Sequence, residues 1–191
     1  MLPSKPAFWT GVGLTIGLGL GALFTARAQQ KGAPALTALD YAEIQQLAAR
    51  YGHAIDTCAN NGYDYADLYT PDGTFTDRFT DEGYKQGGLV RARGREQLAA
   101  AAGGGSRGCN NVGWNGWSHL LVNHVIAPSP EGATGRVYLV VVGASGPKSV
   151  EREGGYEDVY VKTAAGWRFR SRTHVRTKAW HNPKLQSPDL N

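Results

Sequence analysis

The second half of this chain reads as strand and turn with little else. Residues 117–127, 135–144, 156–163 and 167–177 are dense in Val, Tyr, Trp and Phe, and the turn-forming stretches APSPEGA, SGPKSVEREGG and TAAG separate them. Strands joined in this way pair antiparallel and build a sheet with one face to bury. The first half supplies the cover. Ile44, Leu47, Ala48, Tyr51 and Ile55 recur at helical spacing and form one apolar stripe. Thr37 or Asp40 caps this helix, with Glu43 three residues after Asp40, and Asn60-Asn61-Gly62 ends it. Residues 63–69 read as a short second helix, TPDG as a turn, and residues 74–77 as the start of a strand. Residues 88–92 read as a short strand and GREQLAAAA, 94–102, as a third helix. Helices followed by a run of strands predict an α+β domain, a cone-shaped, curved antiparallel sheet wrapped around N-terminal helices.

Residues 1–28 carry the marks of a secretory signal. Lys5 is followed by an uncharged, mostly apolar stretch from Ala7 to Phe24, and Ala26-Arg27-Ala28 offers a cleavage site before Gln29. The alternative is an uncleaved anchor, because a run of this length is near the lower limit for spanning a bilayer. The expected organisation is a signal peptide at 1–28, a linker at 29–36, one domain at 37–178 and a tail at 179–191. Export places the protein in the periplasm or outside the cell, in an oxidising compartment, with no stable membrane partner if the signal is cleaved. Cys58 and Cys109 then form either one disulfide or two small buried hydrophobes. No C-x-x-C spacing supports zinc or redox chemistry, and no metal site is expected. The net charge of +4 is mild and scattered, so nucleic acid is not an expected partner.

Asp56 stands in the last turn of the first helix, where the macrodipole favours cations. It flanks the apolar stripe, so it is either a solvated loop acid or a carboxylate with a partner across a cavity. In WSHLLVNHVI, strict alternation puts His119, Leu121 and Asn123 on one face and Leu120, Val122, His124 and Ile126 on the other. His124 then reads as a packing histidine, and the mixed face of His119 and Asn123 as a pocket wall. In GGYEDVYVKTAAGWRFRSRTH, Tyr156, Asp158 and Tyr160 share one face. Arg168, Arg170, Arg172 and His174 share another, mostly solvated, with one arginine able to reach a pocket mouth.

Four stretches, EIQQLAARYGHAID, ADLYTPDGTF, SHLLVNHVI and GGYEDVYVKTAAGWRFRSR, together resemble the SnoaL-like branch of the nuclear-transport-factor-2 fold, near scytalone dehydratase and lindane dehydrochlorinase. The resemblance spans about residues 36–174. It implies a general-base histidine at His119, oriented by Asp56, that removes a proton beside a carbonyl or leaving group without metal or cofactor. An imidazole can take a proton near neutral pH, and a carboxylate at its other nitrogen fixes the tautomer and stabilises the cation. The sequence departs from that pattern at Ile55, where a tyrosine stands in scytalone dehydratase, and its carbonyl-holding tyrosines have no clear counterpart. Tyr51, Asn123, Tyr156 and Asp158 are the candidate replacements, and Arg172 matches an arginine near the dehydrochlorinase site. The implied function is that of an exported lyase or isomerase of dehydratase type acting on a small, largely apolar organic substrate. The alternative is a non-catalytic protein that binds such a ligand. A homodimer or homotrimer is the expected assembly.

Overall fold

The computed structural model describes residues 35–109, 116–143, 150–177 and 180, all within one compact unit, Ala33–Asn191. The expected signal segment, residues 29–34 of the linker, and the tail apart from Trp180 lie outside the described residues. Helix α1 spans Ala38–Thr57 and buries Ile44, Leu47, Ala48, Tyr51 and Ile55, the anticipated stripe. Its cap pairs Thr37 with Asp40 rather than Asp40 with Glu43. The Thr37 hydroxyl oxygen accepts from the Asp40 amide, and Asp40 accepts from the Thr37 amide at 2.8 Å. The second Asp40 oxygen accepts from Lys162 Nζ at 2.7 Å and Trp167 Nε1 at 3.0 Å, which pins the start of α1 to the last hairpin. Lys162 first, and then Thr37, hold this carboxyl well below the usual carboxylate range.

After α1 come α2 (Tyr63–Ala66), β1 (Tyr69–Arg78), α3 (Asp81–Lys85), β2 (Leu89–Arg93) and α4 (Gly94–Ala101). The chain ends in β3 (Ser118–Ser129), β4 (Gly132–Val142), β5 (Val150–Thr163) and β6 (Gly166–Val175). The six strands form one curved sheet in the order β2-β1-β6-β5-β4-β3. Neighbours pair antiparallel except β1 and β6, which run parallel and join the meander to the β1–β2 ribbon. The sheet is antiparallel, as expected, except at that one seam. Two local readings also change. The TPDG turn lies inside β1, where residues 70–73 bulge opposite Arg170, and Asp81–Lys85 forms a helix that Thr80 caps by accepting from the Gly83 amide.

Two further bulges decide which side chains face the interior. In β3 the register steps from Val122 opposite Tyr138 to Val125 opposite Arg136, so Asn123 and His124 together face one residue. Asn123 takes φ 56°, a left-handed conformation that asparagine tolerates better than most residues. In β6, Phe169 faces Tyr160 and Ser171 faces Val159, which leaves Arg170 as the extra residue. Beyond each bulge the inward and outward positions exchange. His124 and Ile126 turn to the side of His119, and Arg172 and His174 turn to the side of Trp167 and Phe169. Neither pattern expected from strict alternation survives. The two histidines of β3 do not face opposite ways, and Arg172 is buried, unlike half-buried Arg168 and exposed Arg170.

The interior between α1 and the sheet is aromatic. Tyr51, Tyr65, Tyr160 and Phe169 are fully buried, and each such burial contributes about 1.5–3 kcal/mol.

Candidate active site

The carboxylate of Asp56 grips His119 twice. Its Oδ2 accepts the backbone N–H of His119 at 2.9 Å, and its Oδ1 lies 2.5 Å from Nδ1 of the same residue. The His119 side chain is 3% exposed and that of Asp56 18%. An ionised carboxylate only accepts, so Nδ1 carries the proton, and in the neutral ring the lone pair sits on Nε2, the nitrogen on the far side from Asp56. The anion in the last turn of α1 is therefore stabilised by two donors from β3, which offset its unfavourable place in the helix dipole. Two residues on, Cys58 closes α1 in a left-handed conformation at φ 49°. Its sulfur is joined to that of Cys109 with the Cα atoms 6.1 Å apart, tying the end of α1 to the loop before β3.

His119 borders a cavity of about 280 Å³ inside the cone. Tyr51, Ile55, Tyr65, Phe75, Leu139 and Tyr156 give it mostly aromatic and aliphatic walls, with Phe79 and His174 stacked face to face, ring centroids 4.4 Å apart. The hydroxyls of Tyr51 and Tyr156 are 2.7 Å apart and those of Tyr65 and Tyr69 are 2.9 Å apart. Within each pair one O–H donates to the other oxygen. Burial pushes the Tyr51 phenol up, and that of Tyr156 well up, so both stay protonated donors at neutral pH. On another side Asp77 accepts the amides of Phe79 and Thr80, the Thr80 hydroxyl, and Nε and Nη2 of Arg91. Burial alone would raise the Asp77 carboxyl, but the bonds from Thr80, Arg91 and Phe79 outweigh it and lower it to about 2. Asp77 is a structural anion that shapes the β1–α3 corner.

A wider groove of about 910 Å³ runs along the seam between α1 and β3, lined among others by Gln45, His53, Asp56, Trp117, Asn123 and His124. His119 touches both spaces, so the Asp56–His119 pair sits in the wall between them.

Of the candidate substrate-contacting residues, Tyr51 and Tyr156 line the inner cavity beside His119. Asn123 does not. It sits exposed on the β3 bulge and borders only the outer groove. Asp158 and Arg172 lie behind the cavity wall and pair with each other. Arg172 donates from Nε and Nη2 to the two Asp158 oxygens at 2.8 and 2.7 Å, with both side chains at zero exposure. The guanidinium lies 4.0 Å from the ring centre of Tyr51, 4.3 Å from Tyr156 and 4.1 Å from Phe169. Arg172 is thus a buried cation under the cavity floor rather than an arginine at its mouth. Burial opposes its charge, but Asp158 outweighs burial and holds it protonated. Its Nη1 has no hydrogen-bond partner among the described residues.

Sequence reasoning read His124 as a packing histidine on the face opposite His119 and missed its polar partner. The bulge carries His124 inward, and its Nε2 lies 2.9 Å from the Tyr160 hydroxyl, which donates to Asp158 at 2.8 Å. With that O–H committed to Asp158, His124 is the donor to Tyr160 oxygen. Burial lowers the His124 pKa and keeps the ring neutral. The missed signal is Asn123, a residue type that tolerates the left-handed conformation of a bulge, in mid-strand. No group of three or more His, Cys, Asp or Glu side chains able to hold a metal ion occurs among the described residues.

The SnoaL-like domain family profile matches residues 36–173. No curated protein matches the sequence. Among solved structures, an NTF2-like protein with a cystatin-like fold from Novosphingobium aromaticivorans is 22% identical, covering 92% of this chain and 99% of that one with a TM-score of 0.60. A protein of unknown function with a cystatin-like fold from Nostoc punctiforme is 24% identical, covering 74% of this chain and 94% of that one at a TM-score of 0.59. A candidate scytalone dehydratase from Novosphingobium aromaticivorans is 21% identical, covering 71% of this chain and 83% of that one at a TM-score of 0.50. Likenesses of this kind establish the fold alone.

Proposed function

Since this chain belongs to the SnoaL-like domain family, we propose that it is a small-molecule lyase or isomerase in which His119 removes a proton from carbon and Asp56 orients the ring. The observation that carries this reading is the double grip of Asp56 on His119, backbone and ring, in the wall of an aromatic cavity. Nε2 takes the proton from a carbon beside a carbonyl, Asp56 stabilises the imidazolium, and the Tyr51–Tyr156 hydroxyl pair donates to the oxygen on which charge develops. Loss of a β-hydroxyl as water, carrying off the proton that Nε2 has taken, completes a dehydration, and return of that proton to another carbon completes an isomerisation. The chemistry draws on side chains of this chain, and the apolar walls suit a small, largely apolar organic substrate.

The disulfide between Cys58 and Cys109 and the signal-like residues 1–28 support export to the periplasm or beyond. Leu120, Val122 and Val125 stand 46%, 43% and 67% exposed on the outer face of edge strand β3, which supports a homo-oligomer.

NMR of a panel of α-acidic and β-hydroxy ketones in D2O tests the reading. Exchange or elimination is expected with the wild type and absent with His119→Gln. The second reading, a non-catalytic binder, is favoured by the pairing of the tyrosine hydroxyls, which commits one O–H of each pair to its neighbour rather than to a substrate. A ligand retained equally by wild type and His119→Gln, with no exchange in either, would select it.

A further inference from the structure

We infer that Gly52 is a positioning residue for the Asp56–His119 pair, acting by letting α1 close on β3. A glycine inside a helix is intrinsically worse than alanine. Gly52 is not among the residues with positive φ, so alanine would fit its backbone conformation. What alanine lacks is space. A Cβ built on Gly52 would stand 2.8 Å from the carbonyl oxygen of His119, a backbone atom that cannot swing aside, and 3.9 Å from Leu121 Cδ1. Gly52 is also one helical turn before Asp56, so the two share a face of α1. The glycine therefore meets the backbone of the histidine that the carboxylate holds, and the close approach of α1 and the reach of Asp56 are one geometric fact.

Ordinary carbon–oxygen contact begins at 3.4 Å, so a methyl at position 52 needs a retreat of 3.4 minus 2.8, or 0.6 Å. Carried to Asp56, that retreat takes the 2.9 Å contact to the His119 amide to about 3.5 Å, beyond good hydrogen-bond geometry, and relaxes the short 2.5 Å contact to Nδ1 to an ordinary length of about 3.1 Å. Sites of this kind tolerate about 0.5 Å before they lose function.

The test is the Nδ1–H signal of His119 in proton and nitrogen NMR of the full chain, which needs no substrate. The wild type is expected to show a strongly downfield Nδ1–H resonance. In Gly52→Ala it should move upfield or vanish in exchange, with far-UV circular dichroism unchanged. In Gly52→Ala/Asp56→Glu it should return, because the longer side chain spans the wider seam. A purely structural role for Gly52 would not be rescued in this way. An unchanged signal in Gly52→Ala, or no recovery in the double variant, overturns the proposal. Should Gly52→Ala not fold, Asp56→Glu alone decides. The tight seam predicts a displaced signal, and a wild-type signal overturns the inference. Only the kinetic corollary, a fall in ketone exchange of roughly 10- to 100-fold in Gly52→Ala, rests on the proposed function. If the NMR signal responds but the wild type shows no exchange, the positioning role stands and the catalytic reading fails.

Discussion

Replacing Asp158 by Asn keeps the shape of the side chain and removes the charge that compensates a fully buried arginine. Asp158 accepts three hydrogen bonds, from Arg172 Nε at 2.8 Å, Arg172 Nη2 at 2.7 Å and the Tyr160 hydroxyl at 2.8 Å. An asparagine offers one oxygen and turns an NH2 group toward donors, so at least one contact becomes repulsive while the guanidinium stays out of water. Cation–π contacts with Tyr51, Tyr156 and Phe169 hold the cation in place but do not neutralise it. Breaking one side of a buried pair costs about 3–5 kcal/mol, or roughly 10–15 °C in Tm for a domain of this size. Removing both charges behaves differently. Arg172→Met/Asp158→Leu should recover most of the loss, and the remainder, about 1 kcal/mol, is the hydrogen bond that Tyr160 no longer donates to Asp158, since its hydroxyl keeps the contact with His124 Nε2. Urea unfolding followed by circular dichroism, with the disulfide intact in all variants, measures both numbers. An Asp158→Asn variant within about 1 kcal/mol of the wild type would refute the buried-pair reasoning.

Three shorter predictions accompany it. Cys58→Ala opens a loop with a sequence separation of 51 and should lower stability by about 4 kcal/mol on the chain-entropy account, read as a Tm difference that reductant abolishes. Asp77 has a folded pKa of about 2 against 3.8 for an ordinary aspartate. A lowered carboxyl stabilises above its unfolded pKa, so the contribution is complete above about pH 4 and fades as pH falls toward 2. After solvent screening it is about 1–2 kcal/mol, and Asp77→Asn should flatten the acid limb of the stability curve. Val122→Lys or Val125→Lys on the outer face of β3 should shift the protein to a smaller species in sedimentation, with an unchanged sedimentation profile counting against the oligomer.

The stripe of α1, the four long strands and the face shared by Tyr156, Asp158 and Tyr160 were legible because helical and strand periods repeat over many residues. Asp56 was legible as an anomaly, an anion where a helix end prefers a cation, and the structure places two donors on it. The bulges were not legible. Asn123 and Arg170 each add one residue to a strand, and a single such insertion exchanges inward and outward for everything after it. For that reason Asn123 was expected in the pocket and is exposed, His124 was expected to pack on the opposite face from His119 and packs on the same one, and Arg172 was expected in a mostly solvated row and is fully buried. Tyr51 belongs to the stripe of α1 and Tyr156 to β5, neither of which carries these insertions, and the faces expected for them stand. The β1–β6 pairing was hidden for another reason, since parallel neighbours far apart in sequence leave no turn to mark them.

The central claim is that the Asp56–His119 pair is one proton-abstracting unit. Its most direct measurement is the rate of deuterium uptake at the α-carbon of a bicyclic ketone such as β-tetralone, with wild type, Asp56→Asn, His119→Gln and the double variant. The account predicts exchange by the wild type, a loss of roughly 10²-fold or more in each single variant, and a double variant no slower than His119→Gln alone, because two members of one unit are not lost twice. Wild-type exchange no faster than that of His119→Gln, or losses that simply multiply in the double variant, would contradict it.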